Sequence, residues 1–143
     1  MAAPIDTNLI IRYLTRDHPD HSQRALRLFQ QLALGTEQAI LTEGVLVEAA
    51  QVLSSTTLYA LPRNTIRERL AAIIRSPGIV LRPKRRYLRA LDLYASTRLD
   101  FVDALLIAQA ERSSARAVVS FDRDLGKVPG VTRKEPDADG SIR

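Results

Sequence analysis

The stretch Leu99–Ala110, LDFVDALLIAQA, decides how this chain is read. Phe101, Val102, Ala104, Leu105, Leu106, Ile107, Ala108 and Ala110 predict a helix apolar on nearly every side, which at this length implies a segment surrounded by core. Asp100 and Asp103 interrupt the hydrocarbon. Three residues apart, they share a face near the first helical turn, and ionised groups are rarely set beside so much apolar surface without a partner. The plainest role is a helix start, with Asp100 as N-cap and Asp103 at N3, both favoured by unpaired N–H groups and the helix dipole. That role suits Asp100 better than Asp103, which runs straight into Ala104, Leu105 and Leu106.

Working outward, short apolar runs alternate with helical periodicity. Ala2–Ile5 reads as a strand ending in Asp6-Thr7-Asn8, followed by a helix carrying Leu9, Ile10, Tyr13 and Leu14. Asp17 and Pro19 open a second helix, with Ala25, Leu26, Leu28, Phe29 and Leu32 as its stripe and Gly35 as its stop. Residues 39–41 form a strand. Thr42 caps a helix through Val45, Leu46, Ala49, Val52 and Leu53, and Leu61-Pro62 leads into another bearing Ile66, Leu70, Ile73 and Ile74. Residues 79–81 form a third strand, and Pro83 introduces a helix with Leu88, Leu91, Tyr94 and Ala95 inward. Beyond the acidic helix, residues 117–119 form a fourth strand ending in Ser120-Phe121-Asp122, and a fifth is expected near Val131. Strands alternating with helices predict an α/β fold around a parallel sheet of four to five strands. Residues 1–134 are expected to form one domain and 135–143 a polar, flexible tail.

Composition narrows the setting. A chain of 143 residues, 45% hydrophobic, can bury a full core without disulfides or structural metal. It has no cysteine, which removes thiolate chemistry and suits a reducing cytoplasm. No apolar run is long enough to span a bilayer, and the first residues lack a signal-peptide layout. The net charge of +5 favours a polyanionic partner, although a solvated basic face would give the same sum.

The acids fall where an open parallel sheet places its ligands, beyond the carboxyl ends of the strands. Asp6 closes the first strand and Asp122 follows the fourth, while Glu48 sits between Val45 and Val52 in an apolar stripe. Each has an ordinary explanation: Asp6 and Asp122 as helix caps, Glu48 as a surface group or the partner of one arginine. Convergence of all of them is what caps alone do not explain. Carboxylates crowded into one volume raise one another's pKa, and a divalent cation removes the conflict. Oxygen ligands without sulfur or nitrogen select Mg²⁺ or Mn²⁺ over zinc, and His18 with His21 lacks a third such ligand.

The segments Asp6-Thr7-Asn8, VLVEAAQVL around Glu48, LDFVDALLIAQA around Asp103 and VVSFDRDLGKVPGV around Asp122 resemble, in order and spacing, the PIN-domain ribonucleases, particularly the VapC toxins of prokaryotic toxin–antitoxin pairs. The resemblance covers the chain up to its tail. It implies a three-layer α/β/α sandwich, Mg²⁺- or Mn²⁺-dependent endonucleolytic cleavage of RNA, a homodimer, and inhibition by a cognate VapB-type antitoxin. It also implies that Asp6, Glu48, Asp103 and Asp122 hold the metal and attacking water, with Asn8 and Ser120 orienting them. Asp100 and Asp124 are further acids near the site, and Glu43 is a rival to Glu48.

Lys84, Arg85, Arg86 and Arg89 crowd a helix start, where each opposes the dipole by about 0.3 to 1 kcal/mol. With Arg63, Arg67 and Arg82 they are candidates for RNA phosphate contact, or else an ordinary solvated face. Few aromatics are left for base stacking, since Tyr13, Phe29, Tyr94 and Phe101 read as core. Two other acidic-pocket enzymes fit poorly. A haloacid-dehalogenase-like phosphatase needs a second aspartate where Asn8 stands, and a receiver-type phosphoacceptor needs a lysine beside the pocket. The remaining alternative is a non-catalytic RNA- or partner-binding domain whose acids only cap helices.

Overall fold

Every strand here is two or three residues long, so helices make up most of the ordered backbone. The computed structural model describes residues 1–143. In chain order the elements are β1 (Ala3–Pro4), α1 (Thr7–Thr15), α2 (Pro19–Leu34), β2 (Ala39–Ile40), α3 (Glu43–Ser54), α4 (Arg63–Arg75), β3 (Ile79–Val80), α5 (Lys84–Ser96), α6 (Phe101–Arg112), β4 (Ala117–Val119), a 3₁₀ helix (Arg123–Lys127) and β5 (Thr132–Lys134). The chain divides into two compact units, Met1–Leu88 and Arg89–Arg143, and the division falls inside α5. No helix is long and apolar enough to cross a membrane.

In the first unit β1, β2 and β3 pair in that order, all parallel, with Ala3 opposite Ala39 and Ala39 opposite Ile79. Ile5 N–H donating to Ile40 O and Leu41 N–H to Val80 O, each at 3.0 Å, carry the ladder one step further. The strands then stop because the next residue captures a helix. Asp6 Oδ1 accepts from Leu9 N–H at 2.9 Å and starts α1, and Thr42 Oγ1 accepts from Val45 N–H at 3.3 Å and starts α3. Ile10, Leu32, Leu46, Leu53, Ile66, Leu70 and Ile74 are fully buried, so each helix commits an apolar stripe to the core. Gly78 sits where no side chain fits. A Cβ there would lie 2.1 Å from Glu37 O and 2.8 Å from Leu32 O, and Gly78 N–H donates to Leu32 O at 2.8 Å.

In the second unit β4 and β5 pair in parallel, Ala117 opposite Thr132 through Val119 opposite Lys134. Arg89 donates to both carboxylate oxygens of Glu111 at 2.9 Å, clamping α5 to α6, and Tyr94 meets Phe101 edge to face at 6.0 Å between ring centres. Residues 135–143 turn back through a Pro136–Ile142 bridge and an Arg143–Asp137 ion pair.

The α/β class and the parallel strands are as the sequence predicts, with three differences. The five strands form a sheet of three and a sheet of two rather than one of four or five, because ladders only two or three residues long are each closed by the next cap or turn. Helix α6 is not surrounded. Ala104, Ile107 and Ala108 are buried, but Val102 and Leu106, four residues apart on one face, are 44% and 46% exposed. On α5 Leu91 and Tyr94 are buried as expected and Leu88 and Ala95 only half-buried, while Tyr87, Ala90 and Leu93 are buried as well, the Tyr87 hydroxyl donating to Glu43 Oε1 at 3.2 Å.

Candidate active site

Within the first unit, the end of β1 and the middle of α3 are joined by one hydrogen bond. Thr7 is buried one residue past the Asp6 cap, and its Oγ1 donates to Glu48 Oε2 at 3.0 Å. Glu48 and Asp6 are thus brought to one locality, both exposed, with Asn8 also exposed on the first turn of α1. Glu43 is used elsewhere, accepting from Tyr87, which separates it from Glu48. Thr7 is the residue the sequence reading missed. Its signal was a hydroxyl between two polar residues at a strand end, and its partner 41 residues away is visible only in three dimensions.

Within the second unit a cleft of about 720 Å³ is lined by Asp100, Asp103, Asp122 and Asp124, together with Arg98 and Lys127. Asp100 caps α6, its Oδ1 accepting from Asp103 N–H at 2.8 Å, and Asp122 caps the 3₁₀ helix, its Oδ1 accepting from Asp124 N–H at 3.0 Å. Asp122 N–H in turn donates to Ser120 Oγ at 2.9 Å, so the serine fixes the backbone that carries the aspartate rather than its carboxylate. Capping occupies only Oδ1 in Asp6, Asp100 and Asp122, which leaves Oδ2 outside the cap in all three.

Asp103 differs from its neighbours. It is half-buried, and its pKa is raised first by burial and then by the charges of Asp100, Asp122 and Asp124, with nothing acting in the opposite direction. Asp124 is held below the usual carboxylate range by Lys127, whose Nζ lies 2.8 Å from Oδ1. Lys127 and Arg98 line the cleft and were not anticipated. The spacing of Asp124 and Lys127, three residues apart in a short helix, was the available signal.

The basic residues expected to meet RNA are partly engaged. Lys84 Nζ donates to Ser76 O at 3.0 Å and its pKa is lowered by burial, while Arg63 and Arg67 also have partners within the protein. Arg82 and Arg85 are exposed and Arg86 half-exposed. His18 and His21 stack at 3.9 Å, and His18 Nδ1 accepts from His21 N–H as the cap of α2.

No three carboxylates or imidazoles already stand close enough together to hold a metal ion. In chemistry, however, the second unit's donors suit a hard divalent cation: they are all carboxylate oxygens, and Asp103 is disfavoured as an anion by burial and then by its three neighbours' charges.

Parallel strands alternating with helices make this an α/β protein, with carboxylates standing at strand ends and helix starts. Residues 4–131 match the PIN domain family, and the chain belongs to it. PIN domains are in general metal-dependent nucleases, which makes this a nucleic-acid hydrolase fold. No curated protein sequence matches the chain.

Proposed function

We propose that the protein is a Mg²⁺- or Mn²⁺-dependent endoribonuclease, the toxin of a VapBC-type pair, acting as a homodimer in the cytoplasm until a cognate antitoxin blocks it. The observation that carries the reading is the cleft lined by Asp100, Asp103, Asp122 and Asp124, where burial first and then the three neighbouring charges raise the pKa of Asp103. A helix cap does not need that arrangement, whereas an anionic site awaiting a cation does.

In this reading Asp6, Glu48, Asp103 and Asp122 hold the ion, with Asp100 and Asp124 as further carboxylates beside it. A divalent ion so held supplies charge neutralisation at a phosphodiester and activation of water at neutral pH. The chain's own groups set the stage. Thr7 fixes one oxygen of Glu48, and Ser120 fixes the turn that presents Asp122. Lys127 ties down Asp124, and with Arg98 it places positive charge where a phosphate would enter. Asn8, exposed beside Asp6, has an amide free to orient water or substrate.

The alternative of a non-catalytic module has an observation in its favour, since Asp6, Asp100 and Asp122 do all cap helices. Asparagine separates the two readings because it caps as well as aspartate but is a weak ligand for a hard cation. Asp6→Asn and Asp103→Asn are each expected to fold normally and to lose divalent-dependent cleavage of single-stranded or loop RNA by on the order of 10²-fold or more. Growth arrest on expression should disappear with it. Cleavage that survives excess EDTA, or full rates in both variants, would overturn the assignment.

A further inference from the structure

A second groove, of about 420 Å³, opens in the first unit beside Asp6, between α1 and α2. Asn8 and Arg12, one helical turn apart, line it from α1, and His21 and Arg24, three residues apart, line it from α2. Two guanidinium groups line the groove beside the carboxylate of Asp6, each paired with an aspartate outside the lining, Arg12 with Asp17 and Arg24 with Asp20. We infer that this groove carries the sugar–phosphate backbone of the RNA strand adjoining the cleavage point, with Arg24 and Arg12 as its phosphate contacts. The inference rests on the ribonuclease reading, which puts Asp6 at the reacting phosphodiester.

Three observations support it. Arg12 is held in place by its own chain: one terminal nitrogen lies 2.8 Å from Asp17 Oδ1, and Asp17 is gripped in turn by Tyr59 and Thr15. The same guanidinium buries its Nε–H without an acceptor in the protein, while the side chain as a whole is 29% exposed, so a phosphate meets its exposed part and not that atom. Arg24 is the reverse case. Its only ion pair, with Asp20 at 3.6 Å, is between side chains 71% and 72% exposed, and such a pair exchanges readily for a phosphate. One preset cation and one exposed, loosely paired cation on adjacent helices suit a strand that must bind, be cut and leave. Of the basic residues nominated from sequence, by contrast, Lys84 is turned onto its own backbone.

The test is binding of labelled single-stranded RNA to the full chain in excess EDTA, titrated over NaCl concentration, for the wild type, Arg24→Gln, Arg24→Lys and a charge-matched control on the same helix outside the groove, Arg27→Gln. Arg24→Gln should weaken binding by on the order of tenfold and lower the slope of log K against log salt by about 0.7, the loss of one phosphate contact, while Arg24→Lys retains most of the slope. With Mn²⁺ restored, Arg24→Gln should raise KM more than it lowers kcat. If Arg24→Gln matches the wild type or Arg27→Gln while RNA is still cut, the groove assignment is wrong and the nuclease reading stands. If Arg24→Gln instead loses capture of an acidic peptide from a partner and leaves RNA binding unchanged, the occupant is not RNA and the inference fails. Wild-type protein that neither binds nor cuts RNA would overturn both.

Discussion

Asp17 is the most strongly perturbed carboxylate that no catalytic role explains. It accepts from Tyr59 at 2.5 Å, from Arg12 at 2.8 Å and from Thr15 at 3.1 Å, and these bonds, Tyr59's first, hold its pKa at about 2 against an ordinary 3.8. Folded protein therefore binds fewer protons than unfolded chain between those values. The stabilisation is complete above pH 3.8 and is lost as the pH falls toward about 2. Tyr59→Phe should move the Asp17 titration, followed by carboxyl NMR, back toward 3.8 and flatten the fall in Tm between pH 4 and 2. A titration unchanged by the substitution would mean that Arg12 and Thr15 set it without Tyr59.

At the scale of elements, two glycines make opposite predictions. Gly78 lies where a Cβ would strike backbone, Glu37 O and Leu32 O, which no rotamer change can relieve, so Gly78→Ala should cost about 1 to 3 kcal/mol in urea denaturation. Gly44 is in the first turn of α3 with nothing within 4 Å of a new Cβ, and Gly44→Ala should gain about 0.5 kcal/mol. The elements themselves were legible because their signals are local. Thr42 before an apolar stripe, Pro19 at a first turn and Gly35 at a stop each mark a boundary found in the structure. What was not legible depends on partners far along the chain. The sequence of α6 does not show that Val102 and Leu106 face outward, because exposure is a property of the neighbours and not of the helix. Nor does that of α5 reveal that Tyr87 is drawn inward by Glu43, 44 residues before it.

On the scale of the whole molecule, the positions of the acidic residues along the chain are predictable because strand ends and helix starts are where an α/β chain gathers its ligands. The placements of Asp100, Asp103 and Asp122 at such points follow that rule. The groove of Arg12 and Arg24 was invisible in sequence, since those residues share neither an element nor a motif. The burial of Asp103 beside three other carboxylates has a consequence for the folded molecule as a whole. Mn²⁺ at a hundred times its Kd should stabilise the protein by about 2.7 kcal/mol in a thermal melt, and Asp103→Asn should abolish most of the gain. A melt indifferent to Mn²⁺ would count against the metal reading without reference to any RNA.

One further result comes from the division of labour within single carboxylates, where Oδ1 of Asp6, Asp100 and Asp122 closes a helix and Oδ2 stays outside the cap. Under the proposed nuclease reading two selection pressures act on one side chain, and a mutation can escape either without the other. Descendants of such a chain that shed the hydrolytic activity but kept the architecture should drift to asparagine or serine at these positions, seldom to alanine. Alanine would fray the helix as well as silence the chemistry.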